Sequence, residues 1–252
     1  MPNPLPKTRF TILAAPRTGS NFLCTLLNSH PDILCHHEIF NPKEVFYALP
    51  LRNTSFHLAT VAERDQHPLE FLSRVWEQSR GNACVGFKMT HRQNLIVFNT
   101  ILADPHIEKI VLKRKNRIKT HVSKLIAEHR GIWEYYGEFT LPKHPTRICI
   151  DLDRLHQDIE FNNNYYAEIE TRLHQTHQAS CVVTYEDLDQ KNTQERILSF
   201  LGLPYQQLHG SSRKQNPDDL RLIVENFDRL TQQLQGTELL KELQDDNAFD
   251  LS

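Results

Sequence analysis

Residues 9–30 read as an apolar strand, a tight turn over Pro16-Arg17-Thr18-Gly19-Ser20, and then at once an apolar-periodic helix. No other feature constrains the chain as strongly. A strand that enters a helix through so short a turn aims unpaired backbone N–H groups and the positive end of the helix dipole at one point. An anion belongs at that point. Gly19 lets the backbone approach closely, Arg17 offers a fixed fork of donors, and Thr18 and Ser20 add hydroxyls, with Asn21 opening the helix. The alternative reading is an ordinary strand-turn-helix junction capped by Ser20. The loop lacks the second glycine and the lysine of G-x-x-x-x-G-K-[ST], so a Walker A site for ATP or GTP does not follow from it.

Further along, short β-rich runs alternate with helical patterns. Residues 10–15, 84–89, 109–112 and 180–184 read as strands, and 21–28, 68–78, 94–102, 118–128, 155–174 and 195–201 carry apolar residues at helical spacing. This alternation predicts an α/β fold, a parallel sheet flanked by helices, with ligands beyond the carboxyl ends of the strands. Residues 41–57 and 133–146 show no clear period and read as long loops, either lids and substrate walls or mobile surface. A chain of 252 residues, 39% hydrophobic and 24% charged, is ordinary for one domain spanning 1–252. Its core is expected over about residues 9–235, with short tails on either side.

A formal net charge of -2 gives no polyanion-binding signature, so nucleic acid is not an expected partner. The proline-rich start, Met1 to Lys7, is neither a secretory signal nor a membrane anchor, and a cytoplasmic protein without a transmembrane segment is expected. Five cysteines, Cys24, Cys35, Cys84, Cys149 and Cys181, stand singly and read as buried free thiols. The 14 histidines show no ligand spacing, and no metal is expected.

Three other segments extend the pattern. Ile110-Val-Leu-Lys-Arg-Lys-Asn-Arg-Ile-Lys-Thr-His-Val-Ser123 is an apolar strand running through basic residues into a helix, and Gly86-Phe-Lys-Met-Thr-His91 ends a strand near Lys88. Val182-Val-Thr-Tyr-Glu-Asp-Leu188 precedes Ile197-Leu-Ser-Phe-Leu-Gly-Leu-Pro204. With Pro16-Arg-Thr-Gly-Ser-Asn-Phe-Leu23, this ordered set resembles the sulfotransferases that use 3′-phosphoadenosine 5′-phosphosulfate (PAPS), in their bacterial and carbohydrate-type branch.

The resemblance implies a P-loop NTPase-like sulfotransferase fold and PAPS as co-substrate. It assigns Arg17, Thr18, Gly19, Ser20 and Asn21 to the 5′-phosphosulfate, and Arg114 with Ser123 to the 3′-phosphate, Lys115 being the alternative to Arg114. Arg213 and Lys214, in a basic loop ahead of a helix expected from Pro217, would close over the same phosphate. Lys88 would neutralise charge building on the sulfate or bridging oxygen, unless it is a lysine snorkelling from an edge strand. A carboxylate base is expected just after the first helix, and Glu38 occupies that place; His37 and His36 compete for the role. Glu38 also admits a plainer reading, as a surface carboxylate paired with a lysine. Glu186 and Asp187 suit a cap.

The acceptor implied is a hydroxyl of a small molecule, carbohydrate or glycolipid. Two other classes stay open: a kinase-like phosphotransferase, and a nucleotide-binding module without chemistry. The apolar periodicity of residues 220–240 suits packing on the core or on a second subunit, so a homo-oligomer is possible.

Overall fold

The computed structural model describes residues 6–134, 145–211, 217 and 219–245. Five strands form one all-parallel sheet: β1 (Thr8–Ala14), β2 (Ile33–His36), β3 (Cys84–Thr90), β4 (Ile107–Lys113) and β5 (Cys181–Thr184), in spatial order β2-β3-β1-β4-β5. The chain leaves β1 toward one side for β2 and β3 and crosses to the other for β4 and β5. The carboxyl end of central β1 is therefore the topological switch point, where such sheets hold ligands.

Alternation along the strands divides the interior. Phe10, Ile12, Ala14, Ile33, Cys35, Ile110 and Leu112 face α1 (Ser20–Leu27) and the helix of Lys191–Phe200, while Leu13, Leu34, Val85, Phe87, Met89 and Val111 face the opposite layer. That layer holds α2 (Leu49–Arg52), α3 (Val61–Gln66), α4 (Pro68–Glu77), α5 (Leu95–Ala103) and α7 (Leu152–Gln175), α6 (Arg117–Arg130) lying between β4 and α7 in the chain. Gly86 is a packing device, because a Cβ there would lie 2.5 Å from carbons of the Phe10 ring. α8 (Lys191–Phe200) completes the first layer. The carboxyl-terminal segment contributes α9 (Phe227–Gln233) and α10 (Glu238–Leu243), which build a third apolar cluster against α6 through Leu230, Leu234, Leu239 and Leu243.

The structure departs from the sequence expectations in four places. β2 is a strand although its four residues carry too little pattern to show it. Within 41–57 lies the short helix α2, and α3 follows behind a capping box in which Thr60 and Glu63 satisfy one another. No helix starts at Pro217; a short 3-10 turn at Leu220–Leu222 follows, then an isolated bridge of Val224 to Ile148, and α9 begins only at Phe227. Cys149 is exposed, unlike the other four cysteines, since its neighbours Ile148 and Ile150 point inward. Among the described residues, no helix is long and apolar enough to cross a membrane.

Candidate active site

The turn after β1 takes the shape an anion cradle needs. Arg17 and Gly19 both have positive φ, 65° and 88°, and a Cβ at Gly19 would collide with the ring of Tyr185. Holding Arg17 in that left-handed region costs about 1 kcal/mol. Thr18 Oγ1 donates back to the Ala15 carbonyl at 2.7 Å and so closes the turn from within. Gly19, not Ser20, is the residue that precedes α1, and no side chain caps the helix. Its first turn also carries no acidic residue, so the positive end of the dipole is not neutralised there. Tyr166 anchors the whole turn: its hydroxyl accepts from Ala15 N–H at 2.9 Å and donates to the Leu112 carbonyl at 2.7 Å, tying the end of β1 to that of β4.

On the β4 side, the basic segment meets the same turn. Arg17 Nε donates to Ser123 Oγ at 3.0 Å, and Arg114 donates to the Arg17 carbonyl at 3.2 Å. Arg114 also lies 5.0 Å over the Tyr185 ring, and its buried Nε has no hydrogen-bond partner among the described residues. Burial lowers its pKa, against the pull of Tyr185 and Glu186. The three residues expected to share two separated anionic groups are thus in direct contact. Lys115 turns elsewhere, its Nζ 2.9 Å from Asp187, while Glu186 accepts from the backbone N–H groups of Lys115 and Asn116. Glu186 and Asp187 thereby order the start of α6. Arg213 and Lys214 lie outside the described residues.

On the β3 side stands a buried ion pair. Lys88, 2% exposed, has its Nζ 2.9 Å from Glu38 Oε1, and it also donates to Ser20 Oγ at 3.4 Å and to Asn21 Oδ1. It therefore bridges the anion loop and the carboxylate. Glu38 Oε2 accepts from Asn41 and Gln93, each at 2.7 Å. Burial alone would raise the Glu38 pKa, but the Lys88 charge and the hydrogen bonds from Lys88, Asn41 and Gln93 outweigh it and hold it at about 2. The loop that carries Glu38 is fixed from beneath by Arg64, 1% exposed, which donates to the carbonyls of Ile39 and Asn41 at 3.0 and 2.8 Å.

The two histidines differ in placement. His36 accepts from Ala48 N–H through Nδ1 at 3.2 Å and stacks on Phe56, so its ring belongs to the wall; burial lowers its pKa to about 3. His37 Nδ1 lies 3.4 Å from Asn21 Oδ1, near the pair, and burial first, then Lys88 and Arg52, lower its pKa. Both rings are neutral at pH 7. Residues of both long segments reach the same place: Arg17 donates to the Trp133 carbonyl at 2.6 Å, and Arg52 pairs with Glu134 at 2.9 Å, residues 135–144 of the second segment lying outside the described residues.

Gln93, Asn41, Arg64 and Tyr166 escaped the sequence reading. Asn41, three residues beyond Glu38, and Gln93, five beyond Lys88, stood near expected site residues in the chain; nothing in Asn162-Asn-Asn-Tyr-Tyr166 marks a side chain that anchors a loop about 150 residues away.

The sequence matches no protein-family model. It is 24% identical to Nodulation protein H of Rhizobium meliloti (strain 1021) over 234 residues, 90% of this chain and 91% of that protein. It is also 24% identical to Nodulation protein H of Rhizobium tropici over 254 aligned residues, 98% of this chain and 96% of that protein. Among solved structures, a sulfotransferase from Alicyclobacillus acidocaldarius covers 96% of this chain and 97% of its own, with a TM-score of 0.47 and 15% identity.

Proposed function

We propose that this chain is a PAPS-dependent sulfotransferase that passes a sulfonate group to an acceptor hydroxyl. One observation carries the reading. The turn at the end of β1 joins Arg114 and Ser123 on one flank and the Lys88–Glu38 pair on the other, so that two anion-ready elements and a carboxylate share one continuous wall. A nucleotide with anionic groups at both its 5′ and 3′ ends suits that wall better than one phosphate chain would. The residues fit the donor: an uncapped helix start meets one anionic group, and Arg114, with an unpaired buried Nε, meets the other.

In this reading the acceptor oxygen attacks sulfur, the bond from sulfur to the bridging oxygen breaks, and the nucleotide leaves with that oxygen. Arg17 and the first turn of α1 stabilise charge on the departing phosphate. Glu38 takes the acceptor proton. A carboxylate held near 2 is a feeble base, and Lys88 is the cause. A sulfonate in the cradle gives Lys88 a second anion to serve, which weakens its hold on Glu38 and restores the basicity of the carboxylate. Gln93 and Asn41 keep Glu38 in place during this exchange. His37, neutral and beside Asn21, orients the same corner.

The test is a pair of variants read by two measurements. Glu38→Gln retains an oxygen for Lys88 and should bind 3′-phosphoadenosine 5′-phosphate normally in calorimetry, yet lose about 10²–10⁴ in turnover. Arg114→Ala should weaken that nucleotide by about tenfold or more. Unchanged turnover in the first, or unchanged affinity in the second, would remove those residues from these roles.

A further inference from the structure

Glu38 begins a loop that closes on itself. Its carbonyl accepts from Asn41 N–H at 3.1 Å and from Phe46 N–H at 3.3 Å, so residues 38–46 return to their own start. Phe40 pins this loop to the core, edge-on to Phe71 at 5.4 Å and 5.5 Å from Phe87. Carbonyls turned inward by such a closure need donors. Arg64, on α3, supplies them: Nη1 donates to Ile39 and Asn41 and faces the Glu44 carbonyl at 3.5 Å, while Nε and Nη2 hold Asp65 Oδ1 on the other edge of the fork.

Asn41 is therefore gripped twice. Arg64 holds its carbonyl, and its side-chain Oδ1 accepts from Lys43 N–H at 3.0 Å, which turns the amide NH₂ toward Glu38 Oε2. Gln93 reaches the same oxygen from the turn after β3, its own Oε1 accepting from Thr90 N–H at 3.4 Å.

The two carboxylate oxygens of Glu38 are thus unequal. Oε2 has two amide donors, one for each in-plane lone pair, whereas Oε1 has Lys88 alone among the described residues. A proton arriving at Oε2 must displace an amide that is itself tied down. At Oε1 it needs only the departure of Lys88, a flexible ammonium that Ser20 and Asn21 also receive.

We propose that Oε1 is the oxygen of Glu38 that takes the acceptor's proton, and that Gln93, and Arg64 acting through Asn41, are positioning residues that immobilise Oε2 and so aim Oε1. The proposal rests on the sulfotransferase reading. As the acceptor oxygen bonds to sulfur, its O–H bond breaks and the proton passes to Oε1, while the electron pair of the donor's sulfur–oxygen bond leaves with the bridging oxygen. The amides also weaken the base, because each stabilises the charged carboxylate. Removing one therefore separates strength from aim: Glu38 becomes more basic and transfers less.

Two measurements on the whole chain test this. One is titration of the Glu38 carboxyl by carbon NMR with isotope-labelled glutamate, its signal identified by its loss in Glu38→Gln. The other is transfer of labelled sulfonate from PAPS to a pool of sugars, phenols and simple alcohols. Asn41→Ala should raise the titration point by about one pH unit and yet slow transfer about tenfold. Arg64→Lys should move both in the same directions to a smaller extent, and adding it to Asn41→Ala should change neither further. Gln93→Ala should add to Asn41→Ala, since its amide comes from another element. Affinity for 3′-phosphoadenosine 5′-phosphate should stay within about twofold throughout, a check that each variant is folded. Transfer that quickens as the titration point rises would show that the amides only weaken the base and would overturn the proposal. So would an unmoved titration point in Asn41→Ala, or Arg64→Lys effects that add in full to those of Asn41→Ala. A wild type that binds no nucleotide and transfers nothing would sink the sulfotransferase reading, and the proton-taking role with it, whereas shifted titration in the variants would still establish the coupling of Arg64, Asn41 and Glu38.

Discussion

Lys88 is a cation kept out of water by three oxygen partners, on Glu38, Ser20 and Asn21, and its placement makes Glu38 costly to remove. Glu38→Ala leaves a buried charge without its counterion and should lower stability by about 3 kcal/mol in denaturant unfolding. Lys88→Met combined with Glu38→Gln should recover part of that loss. The pH dependence follows from the depressed pKa. Since Glu38 titrates at about 2 in the folded chain against 4.5 ordinarily, its contribution is fully present above pH 4.5 and is lost as pH falls through about 2. Wild-type stability should therefore fall more steeply than that of Glu38→Gln between those two values, and parallel curves would contradict the pairing. The residue types at positions 38 and 88 were legible in the chain, one after the first helix and one at a strand end. Their pairing was not, because about fifty residues separate them and only the β2-β3-β1 order brings them together.

At the scale of elements, the site depends on how strand ends are joined. Tyr166, from the middle of α7, links the ends of β1 and β4 directly below the anion loop. Tyr166→Phe keeps the ring and removes both hydrogen bonds; it should cost about 2 kcal/mol and weaken the product nucleotide severalfold. Loss of stability with unchanged nucleotide affinity would show that the tie serves the fold alone. Long elements with a clear period were legible from sequence: α7 was expected at 155–174 and runs Leu152–Gln175, extended backward by an Asp151 cap. Two short ones were not, four-residue β2 and one-turn α2, whereas the equally short β5 was legible from its Cys-Val-Val-Thr run. The start of α3 was a missed signal, because Thr60-Val-Ala-Glu63 is the sequence form of a capping box. Pro217 misled in the other direction, since its local start preference is followed by no helix until α9 begins at Phe227.

Across the whole molecule, the period of alternation between strands and helices made the parallel sheet legible, while the strand order was out of reach because it is fixed by which faces bury together. The carboxyl-terminal segment packs on α6 of its own chain, with Arg117 joined to Glu242 at 2.5 Å, so the helix that carries Ser123 is braced from outside. Fold and site are thus coupled, since α6 supplies Ser123 to the anion wall. The measurement closest to this account is transfer of radiolabelled sulfonate from PAPS, with no added metal, to a panel of sugars, phenols and simple alcohols. The account predicts label on a hydroxyl acceptor with wild type and at least a hundredfold less with Glu38→Gln, about the range expected for loss of a general base. Label transferred equally by both, or magnesium-dependent transfer of phosphate from ATP with none from PAPS, would contradict it.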